Sequence, residues 1–197
     1  MIEELNRRIF LFINDFAGKS FLFDWFAFIG AEYLPFVFIV LLIYLWFSNK
    51  ENSRNNALYA TYASLLGLLI NFFISLFCLH PRPFMDNIGI TLIHHVPETS
   101  FPSDHTTFML SISITLLFLK ETKNIGIIFT LLGLLGGGLR VLCGVHYPFD
   151  ICGSLIVSIT SGVIIISIKK QLIKINKILI RYIFHILKSF NYYLNIF

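Results

Sequence analysis

The sequence predicts an all-α protein, a polytopic membrane helix bundle of about five transmembrane helices with interfacial helices at both termini. Hydrophobic residues make up 56% of the 197 residues and the mean hydropathy is +0.78, values that exclude an ordinary soluble domain. The apolar residues are gathered into long stretches that short polar segments separate, and the connecting segments lack strand-like alternation. We therefore expect one integral-membrane domain over residues 1–197.

The apolar stretches define the expected bundle, which covers residues 33–168. Five of them are predicted spans: 34–47, 57–79, 105–119, 125–145 and 151–168.

Both ends of the chain predict helices that lie in the membrane interface. Residues 1–30 contain Asp15, Lys19 and Asp24, and each charge would cost roughly 2.5–3.5 kcal/mol at the centre of a span. Two interfacial amphipathic helices, 2–16 and 20–29, are therefore expected there. Residues 169–197 alternate lysine with isoleucine and leucine at helical spacing, which predicts a basic amphipathic tail.

The basic residues predict the orientation in the membrane. The net charge of +4 would suggest nucleic acid in a soluble protein, but here the cations fall in loops, so we expect a lipid bilayer and no nucleic acid as partner. Ten of the fifteen basic residues share one predicted side: Lys50, Arg54, Lys120, Lys123, Lys169, Lys170, Lys174, Lys177, Arg181 and Lys188. The positive-inside rule assigns that side to the cytoplasm and the loops 80–103 and 144–149 to the outside. Arg7, Arg8 and Lys19 oppose this assignment if the N-terminus is also outside.

Three polar segments at the ends of apolar stretches carry the candidate chemistry. They are His80-Pro81-Arg82-Pro83-Phe84, Pro102-Ser103-Asp104-His105, and the run from Arg140 through His146 to Asp150. Their guanidiniums suit a phosphate group, since each presents a planar fork of donors. Ser103 and Asp104 favour a helix start, where free backbone N–H groups form an anion cradle. We expect a phosphate site on one membrane face.

A histidine and a carboxylate at helical spacing supply a candidate nucleophile for that site. His146 and Asp150 are four residues apart, and Pro148 favours a helix start between them. Asp150 can then accept the Nδ1 proton of His146 and leave Nε2 free to attack. His105 is a candidate general acid. Asn71 and Ser75 lie on the helical stripe below Arg82, and together with His80 they are possible substrate contacts.

A metal site is the main alternative reading of the same polar residues. The available ligand types are His94, His95, His105 and His146 with Asp104, Asp150 and Glu98. Their spacing matches no metal motif, and two guanidiniums would repel a cation, so we expect neither metal nor cofactor.

The motifs resemble a known family. Arg82-Pro83, Pro102-Ser103-Asp104-His105 and Arg140-x5-His146-x3-Asp150 resemble, in order and spacing, the three-part signature of the type-2 phosphatidic acid phosphatase superfamily. The sequence segments "LLINFFISLFCLHPRPF" and "SFPSDHTT" look most like those of the bacitracin-resistance undecaprenyl-diphosphatases of bacterial cell envelopes. Two positions depart from the superfamily pattern, with Ser75 in place of a lysine and Leu139 in place of a serine.

The resemblance implies a role for each site residue. His146 would be the nucleophile that Asp150 orients, His105 would protonate the leaving oxygen, and Arg82, Arg140 and Ser103 would hold the phosphoryl oxygens. The implied enzyme is a phosphoric anhydride hydrolase in the bacterial cell membrane. It would convert a polyprenyl diphosphate, undecaprenyl diphosphate, to the monophosphate at the outer leaflet without a cofactor, for peptidoglycan synthesis and bacitracin resistance.

Two alternatives to this activity stay open. One is a lipid phosphatase for phosphatidylglycerol phosphate, phosphatidate or a lipid A phosphate. The other is a transporter without enzymatic activity, in which the arginines bind an anionic headgroup.

Overall fold

In a computed structural model that describes residues 1–48 and 52–194, with side chains to 186, the chain is all helical. The helices are α1 Ile2–Asn14, α2 Phe21–Phe47, α3 Ser53–Phe77, α4 Asp104–Leu117, α5 Lys123–Leu142, α6 Pro148–Ser167 and α7 Lys169–Leu194. Short 3-10 turns occupy Pro83–Asp86 and Lys120–Thr122. The predicted all-α fold is confirmed. Lys50, residues 195–197 and the Lys188 side chain lie outside the described parts.

The membrane-spanning segments differ in length from one another. Within the described ranges, four helical segments are long and apolar enough to cross a bilayer: α2, α3, α6 and the segment Lys120–Leu142 that contains α5. The remaining predicted span, 105–119, corresponds to α4, which has 14 residues and is therefore only about 21 Å long. It packs against α3, α5 and α6, and all its side chains from Met109 to Leu116 are buried. The shortest helix of the bundle is thus its core.

The prediction of a separate interfacial helix at 20–29 is wrong. Those residues form the start of α2, which continues without interruption through Pro35 to Phe47. Asp24 does not prevent this, because it lies in the first helical turn and accepts a hydrogen bond from the Gly18 N–H at 3.0 Å. A carboxylate at a helix N-terminus is favoured by the exposed N–H groups there. The charge thus sits at the end of the span rather than in its middle.

Helix α1 is a separate amphipathic helix, as expected, but polar contacts fasten it to the bundle. Asn14 Nδ2 donates to the carbonyl oxygens of Ile90 and Leu142, both at 2.8 Å, and Asn14 Oδ1 accepts from the Ile90 N–H at 2.7 Å. Asn6 Oδ1 accepts from the Phe149 N–H at 3.0 Å. Helix α1 therefore shares one end of the molecule with the loop 87–103 and the start of α6.

Hydroxyl side chains form the seam between α4 and α6. Ser154 Oγ donates to the Ser103 carbonyl at 2.9 Å, and Ser158 Oγ donates to the Thr107 carbonyl at 3.2 Å. Ser111 Oγ donates to Ser158 Oγ at 3.1 Å deeper in the bundle. Small side chains allow two helices to approach closely, and each bond fixes their relative register. The seam therefore sets the start of α4 against the start of α6.

Helix α7 contacts the opposite end of the bundle. Tyr62 OH donates to Asn176 Oδ1 at 3.0 Å, and Asn176 Nδ2 donates to Asn55 Oδ1 at 2.9 Å. Both partners lie in the first half of α3, whereas Arg82 follows the C-terminal end of that helix. The basic tail and the three polar motifs thus occupy different ends of the protein.

Two glycines of α5 test the packing of the core. A Cβ at Gly126 would lie 2.3 Å from the Leu117 backbone nitrogen, whereas a Cβ at Gly138 would meet nothing within 4 Å. We expect Gly126→Ala to lower the free energy of unfolding by about 1–3 kcal/mol through overpacking. Gly138→Ala should leave it unchanged or raise it, by up to about 1 kcal/mol, because alanine favours the helix. Thermal unfolding in detergent measures the stability of both variants. Equal melting temperatures for the two would contradict the close contact of Gly126 with Leu117.

Candidate active site

The three polar motifs meet at one end of the bundle through direct hydrogen bonds. Arg82 Nη1 donates to the Val145 carbonyl at 2.9 Å and lies 3.1 Å from His146 Nε2, which joins the first motif to the third. Ser154, one helical turn after Asp150 on α6, lies within hydrogen-bond distance of the Asp150 carbonyl and of the Ser103 carbonyl, and so connects the helix that carries Asp150 to the second motif. The convergence expected from the sequence is therefore present in the structure.

The i, i+4 pair at the start of α6 has the geometry of an oriented imidazole. Pro148 opens the helix, and Asp150 Oδ2 accepts the Tyr147 N–H at 2.7 Å and lies 3.3 Å from His146 Nδ1. A guanidinium can only donate, so the contact with Arg82 requires a lone pair on Nε2. The proton of the neutral ring is then on Nδ1 and faces Asp150. This tautomer leaves Nε2 as the basic, nucleophilic nitrogen.

Burial keeps His146 in this neutral form. The side chain is 2% exposed, and the loss of hydration lowers the pKa of His146 to about 3, against the opposite effect of Asp150. The positive charges of Arg140 and Arg82 act in the same direction as burial. The imidazole is therefore unprotonated across the physiological range, as a nucleophile must be.

The two arginines present buried donors that have no protein acceptor. Arg140 Nη1 donates to the Ala31 carbonyl at 3.1 Å and to Glu32 Oε1 at 3.0 Å. Arg140 Nε and Nη2, and Arg82 Nε, have no hydrogen-bond partner among the described residues. Buried donors without partners cost free energy unless a ligand satisfies them. An anion with several acceptor oxygens, such as a phosphate, fits this requirement.

The second motif contributes a helix N-terminus and an imidazole. Ser103 is the N-cap residue of α4, as predicted, but its hydroxyl makes no capping bond and instead accepts from Thr106 Oγ1 at 3.1 Å. Its own proton is thereby free for another acceptor. His105 lies half-buried in the first turn of α4, within electrostatic range of both Arg140 and Arg82.

The possible substrate contacts fall into two groups. Asn71 and Ser75 line a cavity of about 230 Å3 together with Arg82 and Phe72. Asn71 Nδ2 donates to Asp104 Oδ1 at 2.8 Å, and its buried Oδ1 is left without a partner in the described part of the chain. Ser75, where the superfamily pattern has lysine, donates to the Phe72 carbonyl at 2.8 Å.

His80 differs from this group, since it contacts the buried carboxylate instead of lining that cavity. Its Nδ1 lies 2.8 Å from Ser100 Oγ and 3.7 Å from Asp150 Oδ1, and its ring packs against Tyr147. Its position therefore favours a role in holding the third motif in place over direct contact with a substrate.

Sequence reasoning missed one residue of the site and assigned another to a different role. Glu32, on α2, binds Arg140, and Glu98, considered only as a metal ligand, binds Arg82 Nη2 at 2.9 Å. Glu32 is the single charged residue between Asp24 and Lys50. A lone ionisable residue in an apolar span normally faces a partner or a site, and this signal was available in the sequence.

The metal alternative finds no geometric support in the described ranges. There, no three histidine, cysteine, aspartate or glutamate side chains are grouped so that they could hold a metal ion. Glu98, one of the candidate ligands, is instead paired with a guanidinium.

A neutral, carboxylate-oriented imidazole near two buried guanidiniums, at one end of a membrane helix bundle, is the arrangement expected of a phosphatase. Comparison with known proteins agrees, since the PAP2 superfamily matches residues 56–174, a range that includes all three motifs. The chain belongs to the PAP2 superfamily.

Individual relatives extend this result. The chain is 38% identical to "Undecaprenyl-diphosphatase BcrC" of Bacillus subtilis over 80% of its own length and 81% of the relative's. It is 28% identical to "Bacitracin transport permease protein BcrC" of Bacillus licheniformis, over 83% and 80% of the two chains. The crystal structure of Aquifex aeolicus LpxE superimposes with a TM-score of 0.68 at 29% identity, covering 83% of this chain and 95% of that one.

Proposed function

We propose that this protein is an undecaprenyl-diphosphate phosphatase that releases the terminal phosphate of the lipid carrier and returns the monophosphate to cell-wall synthesis. The observation that carries the proposal is the contact between His146 Nε2 and Arg82 Nη1 at 3.1 Å, with Asp150 behind the ring. It puts a nucleophilic lone pair next to a phosphate-binding cation. The name of the Bacillus subtilis relative supports the substrate.

In the first step, His146 Nε2 attacks the terminal phosphorus atom. The Nε2–P bond forms while the bond from phosphorus to the bridging oxygen breaks, and the lipid monophosphate leaves with a proton from His105. Asp150 accepts the hydrogen bond from Nδ1 and stabilises the cationic ring that results. Arg82 Nη1 must move from the nitrogen to a phosphoryl oxygen as the phosphate enters, and it remains anchored by the Val145 carbonyl.

In the second step, a water molecule attacks the phospho-histidine and releases inorganic phosphate. His105, now unprotonated, accepts the proton of that water and is restored for the next turnover. Arg82, Arg140 and Ser103 hold the three phosphoryl oxygens through both steps, because the charge to be stabilised lies on those oxygens. Ser75 brings no charge where the superfamily pattern has lysine, so the two guanidiniums and the N–H groups of α4 supply the positive potential.

A polyprenyl diphosphate fits the surroundings of Arg82 better than a glycerolipid does. The cavity beside Arg82 is lined by Asn71 and Ser75. The Ser75 hydroxyl, which donates to the Phe72 carbonyl at the exposed surface of α3, can turn to donate to a second phosphate group, whereas Asn71 Oδ1, without a partner among the described residues, can only accept. The adjoining face of α3 exposes Phe72, Phe73 and Phe77, an apolar surface suited to an isoprenoid tail without ester carbonyls.

The site faces the outside of the cell in this proposal. Arg54, Lys120, Lys123 and the basic residues of α7 belong to the other end of the bundle, and the positive-inside rule assigns that end to the cytoplasm. Arg7, Arg8 and Lys19 share the end that holds the site, but each pairs with an acidic side chain four residues away.

The catalytic roles predict the effects of three substitutions on activity. His146→Ala should reduce phosphate release by at least about a thousandfold, because the attacking atom is lost. Asp150→Asn should cost less, since it disturbs the tautomer but keeps Nε2. The matched control His94→Ala, exposed in the loop, should keep normal activity. An acid-labile phosphate trapped on His105 instead of His146 would reverse the assigned roles.

Substrate preference tests the proposed activity itself. With EDTA present, kcat/KM for a long polyprenyl diphosphate should exceed that for phosphatidate or phosphatidylglycerol phosphate by about tenfold or more, the effect of one additional charge-assisted contact. Phosphate release by purified protein measures the three rates. Equal rates would indicate a general lipid phosphatase. Absence of phosphate release from every lipid would favour transport, which the name of the Bacillus licheniformis relative describes.

Labelling of single cysteines tests the orientation. With Cys78, Cys143 and Cys152 replaced by alanine, Val96→Cys in the loop 87–103 should react with an impermeant thiol reagent in intact cells. Glu121→Cys, exposed in the turn before α5, should react only after lysis. The opposite pattern would put the site in the cytoplasm.

A further inference from the structure

Both phosphate-binding arginines are already occupied by carboxylates that belong to none of the three motifs. Glu98 Oε1, from the loop 87–103, accepts from Arg82 Nη2 at 2.9 Å. Glu32 Oε1, from α2, accepts from Arg140 Nη1 at 3.0 Å. Two separate elements thus deliver one carboxylate to each guanidinium at the mouth of the same site.

We propose that Glu32 and Glu98 are displaceable counter-ions that compete with phosphate for the two arginines, weaken the binding of phosphate products, and thereby favour the more highly charged diphosphate. The proposal deepens the function proposed above and rests on it for the identity of the lipid. The inference about phosphate binding itself requires only the two arginines.

The exposed fractions of the two arginines and the two glutamates show which side chains can move. The side chains of Arg82 and Arg140 are 6% and 0% exposed, whereas those of Glu98 and Glu32 are 53% and 29% exposed. Each arginine has a second anchor, the Val145 or the Ala31 carbonyl. A carboxylate that is already partly in water becomes fully hydrated when it leaves the ion pair, while a buried guanidinium without an acceptor is costly. The glutamates therefore leave and the arginines stay.

The neighbours of Glu98 do not hold it in place strongly. His95 Nδ1 lies 3.7 Å from the same Oε1. Burial, followed by the nearby charge of Arg82, lowers the pKa of His95, so the ring is neutral near pH 7 and forms no ion pair. Arg82 is thus the principal partner of Glu98 in the described part of the chain.

Carboxylate and phosphate compete because they use the same donors. A phosphate that displaces a glutamate takes over its hydrogen bond and also reaches Arg82 Nε or Arg140 Nε and Nη2, which lack partners among the described residues. The exchange is favourable only when the incoming anion brings enough charge to offset the lost ion pair. A diphosphate carries more negative charge than either product, so the returning carboxylates assist release of inorganic phosphate and of the lipid monophosphate.

Neutral isosteres of the glutamates test this competition. Glu98→Gln and Glu32→Gln keep the shape of the side chain and remove its charge. In each variant, inorganic phosphate should inhibit hydrolysis of polyprenyl diphosphate with a Ki about tenfold lower than in the wild type, the effect expected for one charge-assisted contact. Calorimetric titration of inorganic phosphate into substrate-free enzyme should show the same change in Kd. The matched control is Glu4→Gln, because Glu4 is exposed and pairs with Arg8 on α1, away from both arginines of the site; it should leave both constants unchanged.

A structural role for the glutamates predicts the opposite sign. If they serve only to position the arginines, the glutamine variants will bind phosphate more weakly, and either that result or unchanged constants would overturn the proposal. Should Glu32→Gln fail to accumulate in the membrane, Glu98→Gln decides the outcome alone, because Glu98 lies in a half-exposed loop.

The two measurements separate this inference from the proposed function. Titration of inorganic phosphate requires no lipid. Tighter phosphate binding by Glu98→Gln in an enzyme that does not hydrolyse polyprenyl diphosphate would support the inference and reject the substrate. Normal hydrolysis of polyprenyl diphosphate with unchanged phosphate binding would support the substrate and reject the inference.

Discussion

The burial of two guanidiniums inside a lipid-facing helix bundle is the constraint on which the rest of the structure depends. A charge that is removed from water needs acceptors nearby, and the chain collects them from distant segments. The Val145 carbonyl, the Glu98 side chain, and the Ala31 carbonyl with the Glu32 side chain come from three different parts of the fold. Satisfying Arg82 and Arg140 therefore fixes the positions of α2, the loop 87–103 and the connection between α5 and α6 relative to one another.

Hydrogen bonds also connect α1 to the surroundings of the site. Tyr147, next to His146, donates its hydroxyl proton to Asp86 Oδ2 at 3.0 Å, and Arg7 of α1 donates to the same oxygen at 3.1 Å. Burial, together with the bond to Asp86, raises the pKa of Tyr147, so the phenol remains a donor at any physiological pH. Helix α1, predicted as a separate interfacial helix, is thus linked through Asp86 to the residue that follows His146.

The sequence predicted interactions between neighbouring residues, but not those between residues far apart in the chain. The pairing of His146 with Asp150 and the helix start at Pro148 depend on residues within one turn, and the spacing predicted both. The bond from Arg140 to Glu32 joins residues 108 positions apart, and no local pattern encodes it. The continuous α2 was missed because the charge of Asp24 looked prohibitive for a span, whereas Asp24 lies in the first turn of the helix and not in its middle. The catalytic roles themselves came from motif resemblance and stay predictions.

The shortness of α4 has a consequence for how a lipid reaches the chemistry. A hydrocarbon core is about 30 Å thick, and a helix of 14 residues covers only about two thirds of that depth. The N-terminus of α4 is bonded to Asn71 and Ser154, each six residues inside the end of a longer helix, and so lies about 9 Å below the ends of α3 and α6. A headgroup must sink below the plane of its neighbours to meet Ser103 and His105. A lipid whose phosphate is carried on a thin, flexible chain would make that descent with the least disturbance of the surrounding leaflet, so the depth of the site would select among lipids independently of their charge.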